Sequence, residues 1–139
     1  MLNRRGFLSC AICTTAGFAA LEASAQGQPP APPQGVKRTV LGKAELPGSN
    51  YVSILMAAEF DAGFKVARHT HPGTENGFLT AGGGILFMKG QPDRIIKAGE
   101  GFVIPFEVPH AFQNGGETTR LAITYVVDKD KPLASPAPE

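Results

Sequence analysis

The chain has no tryptophan, two tyrosines and three histidines in 139 residues. Its two cysteines, Cys10 and Cys13, both lie close to the N-terminus. Beyond them there is no thiol, so no disulfide can staple the remainder and no thiolate can hold a metal there. Only one long uncharged apolar stretch occurs, from Leu8 to Leu21. It falls short of the roughly 20 residues that a membrane-spanning helix needs. No long segment repeats its apolar residues with the 3.6-residue period of an amphipathic helix. An excess of charge is missing too. The formal net charge is +1, and setting aside Arg4, Arg5 and Glu22 leaves acids and bases balanced. Such a chain offers no basic face to nucleic acid or to an anionic membrane.

The N-terminus reads as an address. Asn3-Arg4-Arg5-Gly6-Phe7-Leu8 precedes the apolar stretch, and Ala23-Ser24-Ala25 places small residues at the −3 and −1 positions before Gln26. Residues 1–25 are therefore expected to be a signal peptide, removed on export to a bacterial periplasm or beyond. The paired arginines fit twin-arginine export, a route for proteins that fold before crossing, so that a metal can be loaded in the cytoplasm. A general secretory signal with two basic residues is the simpler alternative. Residues 26–35 contain Pro29, Pro30, Pro32 and Pro33 and are expected to be a spacer. Residues 128–139 form a second Pro-rich stretch, expected to be a loose tail or to lie across a neighbouring subunit. Between them, residues 36–127 remain for one folded domain of roughly 90 residues.

Within that domain, short apolar runs are separated by Gly, Pro and Asn, the pattern of an all-β sandwich or barrel. Strands are expected near Lys37–Leu41, Tyr51–Phe60, Lys65–Thr70, Gly77–Thr80, Gly84–Lys89, Asp93–Lys97, Gly101–Ile104, His110–Asn114 and Thr119–Val127. Gly82-Gly83-Gly84, Gly90-Gln91-Pro92 and Asn114-Gly115-Gly116 supply turns. The nearly continuous apolar run Tyr51–Phe60 is expected to be buried on both faces. An antiparallel jelly-roll β-barrel answers this description.

The whole histidine complement falls in two segments, Gly63 to Gly82 and Gly99 to Asn114. Residues i and i+2 of a strand share a face, about 7 Å apart. His69 and His71 therefore point the same way, with Arg68 on the other face in a surface or subunit contact. Glu75 follows the Pro72-Gly73 turn and can return its carboxylate to the same point. His110 arrives from a distant segment after Pro105 and Pro109. Three imidazoles and a carboxylate suit one divalent transition ion, Mn, Fe, Co, Ni, Cu or Zn, and disfavour Ca or Mg.

These residues resemble the two motifs of the cupin superfamily. The first motif is matched by Gly63, His69, His71, Glu75 and Gly82. The second is matched by Gly99, Pro105, His110 and Asn114, with Glu107 where the family has glycine. That departure puts the local turn, and the reach of His110, in question. The short stretch between the motifs is similar to that of small bacterial single-domain cupins, including those like quercetin dioxygenase. The resemblance implies a jelly-roll barrel holding one metal, Fe or Mn favoured, on His69, His71, Glu75 and His110. It also implies pairing of two copies.

Four protein ligands on a six-coordinate ion leave two positions for dioxygen or substrate oxygen. The chain is thus expected to be a dioxygenase-like oxidoreductase acting on a small, weakly charged or aromatic substrate, with Glu75 as a catalytic general base. A binding module without turnover, or a non-redox Mn or Zn isomerase or decarboxylase, are the alternatives. Leu79, Phe87, Met88, Ile104 and Phe112 are candidate pocket walls, and no buried Arg or Lys is evident for a substrate acid. Homodimerisation is expected, because a small barrel has sheet edges to cover.

Overall fold

The computed structural model describes residues 35–138. The signal peptide expected over 1–25 and nearly all of the 26–35 spacer lie outside them. The described chain is built of strands: β1 (Val36–Glu45), β2 (Tyr51–Phe60), β3 (Lys65–Thr70), β4 (Gly73–Ala81), β5 (Gly83–Met88), β6 (Arg94–Lys97), β7 (Gly101–Ile104), β8 (His110–Asn114), β9 (Thr119–Asp128) and β10 (Ser135–Pro136). They form two five-stranded antiparallel sheets, ordered β1-β2-β9-β4-β7 and β10-β3-β8-β5-β6. This is the expected all-β jelly roll.

Sheet membership alternates along the chain. β2, β4, β7 and β9 belong to the first sheet, and β3, β5, β6 and β8 to the second. A few residues of connection therefore carry the backbone from one wall to the other. His69 on β3 and Glu75 on β4, close in sequence, consequently stand on opposing walls.

Register fixes which side chains meet. In the first sheet Ile54, Tyr125, Glu75 and Ile104 lie side by side, and Met56, Ile123, Gly77 and Phe102 form the next row. These residues face inward. Leu79, Ile96 and Ile104 are essentially inaccessible, and Leu86 and Ile96 contribute from the second sheet. Each such side chain stabilises by about 1.5–3 kcal/mol on burial. Gly77 has a packing reason: a Cβ there would sit 2.2 Å from the Phe102 ring.

β2 departs from expectation. Its burial alternates, with Val52, Met56, Ala58 and Phe60 buried and Leu55 exposed. One face of the first sheet is uncovered, so an apolar sequence run does not translate into burial on both sides. The C-terminal stretch departs as well. Instead of hanging loose or reaching a neighbour, it folds back on its own chain, where Ser135 and Pro136 pair with Thr70 and His69 of β3.

The motif residues that are not ligands shape the turns. Gly63, Gly82 and Gly99 all adopt positive φ, 72°, 69° and 86°. Glu107 adopts φ 55° as well. The unusual turn thus survives the loss of glycine, at a cost of roughly 1–2 kcal/mol for a residue with a Cβ. Asn114 is buried, and its amide donates to the carbonyls of Phe60, Asp61 and Glu117 at 3.1, 2.6 and 2.9 Å. Its carbonyl accepts from the Thr119 hydroxyl, which itself accepts from the Gly83 N–H at 2.8 Å. One side chain thereby ties together both sheets. Replacing it strands several buried acceptors, so Asn114→Ala is expected to destabilise the fold by about 2–4 kcal/mol. Gln113→Ala, which removes more exposed bonds, should cost under about 1 kcal/mol; urea denaturation of both variants checks this.

Candidate metal centre

Three strand segments bring the predicted ligands together. His69, next to last in β3, pairs directly with His110 at the start of β8. His71 lies one step beyond β3, and Glu75 comes from β4 across the interior. Their ligand atoms all lie within 4.8 Å of one another. His71, Glu75 and His110 are buried, and His69 is half-buried on the open side.

Hydrogen bonding decides which ring nitrogens are free. Nδ1 of His69 donates to the Ala67 carbonyl at 2.8 Å, and Nδ1 of His110 to the Val108 carbonyl at 2.9 Å. Nδ1 of His71 donates to the Leu133 carbonyl at 2.6 Å. A carbonyl can only accept, so each Nδ1 carries hydrogen and each Nε2 presents its lone pair inward. The Nε2 atoms of His69 and His71 are 3.1 Å apart. Glu75 Oε2 lies 2.9 Å from His71 Nε2 and 3.1 Å from His110 Nε2. Lone pairs and a carboxylate held this close repel unless a cation lies among them. Donors about 2.1 Å from one ion at right angles stand about 3.0 Å apart, so the spacing fits neighbouring positions of an octahedral site. The donor set therefore fits a transition-metal ion.

Electrostatics agree. Burial alone would raise the Glu75 pKa, but the contacts with His110 and His71, which become hydrogen bonds when those imidazoles carry a proton on Nε2, overcome it and bring the carboxyl down to about 2. Burial lowers the His69 pKa, and the neighbouring imidazoles lower it further. Burial opposes protonation of His71 too, but its Glu75 and Leu133 partners prevail and raise its pKa.

Beside the cluster lies a narrow cavity of about 50 Å³ lined by Phe60, Phe102, Phe112, Glu75, Tyr125 and Arg38, among others. At 10–15 Å³ per water, it has room for roughly four. Of the pocket walls expected from sequence, Phe112 is present. Leu79 and Ile104 are instead sealed in the core. Phe87 pairs with Ala111 and alternates away from inward-facing Leu86, while Met88 lines a separate groove with Pro92 and Ile95. Arg68, expected in a surface or subunit contact, sits at its own chain's C-terminal strap, where its carbonyl accepts from Ala137 N–H at 3.1 Å and its Nε is buried without a hydrogen-bond partner among the described residues.

Three features escaped the sequence reading. Tyr125 lies against His71, ring centroids 4.8 Å apart, and burial together with the Glu75 charge pushes its phenol well above its ordinary pKa. The alternation Leu121, Ile123, Tyr125 signalled an inward face but not its neighbours. Arg38 enters from β1, whose pairing no motif fixes. The Leu133 carbonyl is invisible to side-chain reasoning, yet it orients His71.

Residues 56–127 match the cupin domain. The chain belongs to the cupin family. No curated protein matches it by sequence. Among solved structures it is similar to a cupin-like protein of Thermotoga maritima, with 24% identity over 73% of this chain and 75% of that one, TM-score 0.60. It is also similar to the DMSP lyase DddQ of Ruegeria pomeroyi (21%, 74% and 52%, TM-score 0.63) and to the polyketide cyclase RemF of Streptomyces resistomycificus (20%, 76% and 73%, TM-score 0.59). It spans 44% and 52% of the two DMSP lyase chains it resembles. At these identities the likeness is one of fold.

Metal and protons compete for the same Nε2 lone pairs. His71, with its raised pKa, holds its proton above the ordinary value of 6.5 and is the first to oppose the metal on acidification. Manganese affinity is therefore expected to fall at least tenfold between about pH 7.5 and 6, with protons released on binding. Titration calorimetry in buffers of different ionisation enthalpy checks this; unchanged affinity at pH 4.5 would contradict it.

Proposed function

We propose that the protein is an exported, metal-dependent oxidoreductase of dioxygenase type, acting on a small, weakly charged or aromatic substrate. The observation that carries this reading is the junction of four convergent ligands with an apolar cavity that shares His69, Glu75 and His110 as its polar wall. Three imidazoles and one carboxylate favour Fe or Mn, with Co, Ni, Cu and Zn as alternatives, and would leave two positions of a six-coordinate ion for other ligands. Such an ion, when bound, acidifies a substrate hydroxyl and supports chemistry with dioxygen.

The chain's own residues supply the rest. Phe60, Phe102 and Phe112 exclude water and present flat apolar walls to a ring or short carbon chain. Glu75, held ionised, serves first as a ligand and accepts a proton only once a substrate displaces it. The paired arginines and small-residue cleavage site support export, and folding before transport would let the site fill in the cytoplasm. An iron-loaded sample is expected to consume oxygen with catechols or β-diketones, and His69→Ala should lose metal and oxygen uptake together. An oxygen electrode and elemental analysis decide; activity that survives in His69→Ala would refute the assignment.

Tyr125 supports a second reading. A phenol lining the cavity beside a carboxylate is acid–base equipment, and a non-redox Mn or Zn isomerase or decarboxylase would use it. Product formed without oxygen would favour that reading. Ligand-induced thermal stabilisation with no product would favour a binding module.

We also infer a homodimer formed through the first sheet. Its outer face exposes Leu55, Phe78 and Val103, and Val40 and Leu41 are exposed on edge strand β1. Apolar surface of this kind on a sheet with an open edge suits a second copy. Sedimentation at micromolar concentration should show a dimer that Phe78→Glu weakens; a monomeric wild type would contradict it.

A further inference from the structure

Among the described residues Arg38 is the one Lys or Arg lining the cavity beside the ligand cluster, and it also lines a second groove with His69 and His71. Its position is set by register. Arg38 pairs with Ala58, which is buried on the inner face of the first sheet, so the arginine side chain is directed over that face from an otherwise exposed edge strand. The guanidinium carbon stands 5.8 Å from the centroid of the Phe60 ring, itself a wall of the cavity. Stacking on an aromatic face orients a guanidinium while leaving its N–H edge free to donate. Arg38 forms no ion pair among the described residues. The one carboxylate of the cavity, Glu75, is already engaged by His71 and His110. A cationic fork with no ion pair among the described residues thus shares the lining of a narrow, largely apolar cavity with His69, Glu75 and His110.

We propose that Arg38 is a specificity-determining residue that binds a carboxylate on the substrate, making the site selective for small organic acids that reach the His69–His71–Glu75–His110 cluster with a separate oxygen donor. This rests on the metal-site reading above and narrows its substrate class. The cavity encloses only a few heavy atoms, so part of one ring or a short chain lies against Phe60, Phe102 and Phe112 while the acid group meets Arg38. Planar, bidentate pairing with a carboxylate is what a guanidinium does best and an ammonium does less well. Arg38 also lowers the pKa of both His71 and Tyr125, so its charge is felt at the site.

The test uses a pair of compounds that differ only in charge, 3,4-dihydroxybenzoate and 3,4-dihydroxybenzamide. Each offers the same two phenolic oxygens to the metal end. Binding to the full chain loaded with manganese is measured by calorimetry without oxygen, so that no turnover is needed. The acid is expected to bind about ten- to a hundredfold more tightly than the amide. Arg38→Gln should bring the acid to the level of the amide and leave the amide unchanged, and Arg38→Lys should keep part of the preference. A purely structural role for Arg38 would instead weaken both compounds equally or lower only the melting temperature. Equal affinity in the wild type, or a preference that survives Arg38→Gln, overturns the proposal. Failure of both compounds to bind a chain carrying a full equivalent of manganese also overturns it while sparing the metal site. A chain that takes up no manganese overturns both.

Discussion

Three backbone carbonyls govern the centre of this protein. Those of Ala67, Val108 and Leu133 each take the Nδ1 hydrogen of one histidine and so turn three Nε2 lone pairs toward one point. Bringing acceptors together against their repulsion is costly, and it is sustained because β3 and the segments leading into β8 and β10 hold the rings from behind. Partners behind a ligand of this kind fix tautomer and ring angle and typically change metal affinity ten- to a hundredfold. The alternation of strands between sheets places His69 and His110 on one wall and Glu75 on the other. Fold and site are therefore one construction: the crossing that closes the jelly roll also closes the ligand set.

The same geometry makes the site one-sided. His71, Glu75 and His110 are buried while His69 is half-buried, and the cavity of aromatic walls is lined by His69, Glu75 and His110. A buried carboxylate bonded to two imidazoles stays ionised, which suits a ligand better than a resting base. Tyr125 and Arg38 complete the surroundings, one a phenol with its proton held tightly, the other a cation lining the cavity. The chemistry the site can perform is set by how these two groups meet a molecule whose oxygen donor faces the ligands.

Much of this was legible in the residues. His-x-His at the end of a strand, Glu75 past a Pro-Gly turn and His110 after two prolines specify a ligand set through their spacing, and most strands fell within a few residues of expectation. Glu107 shows that a glycine signal can be lost while its backbone conformation persists. What sequence concealed was contact between distant strands. Leu79 and Phe112 look alike as pocket candidates, yet register buries one in the core and sets the other against the cavity. Arg38 and the Leu133 carbonyl matter through pairings of β1 and β10, and neither strand carries a motif. The open outer face of β2 was hidden for a related reason: hydrophobicity reports what a residue can bury against, not whether a partner is there.

The most direct measurement is a crystal structure of the chain grown with manganese, with diffraction recorded on both sides of the metal's absorption edge. The account expects a single anomalous peak about 2.0–2.3 Å from Nε2 of His69, His71 and His110 and from a Glu75 oxygen. No peak among the four side chains, with the imidazoles turned away from one another, would contradict it.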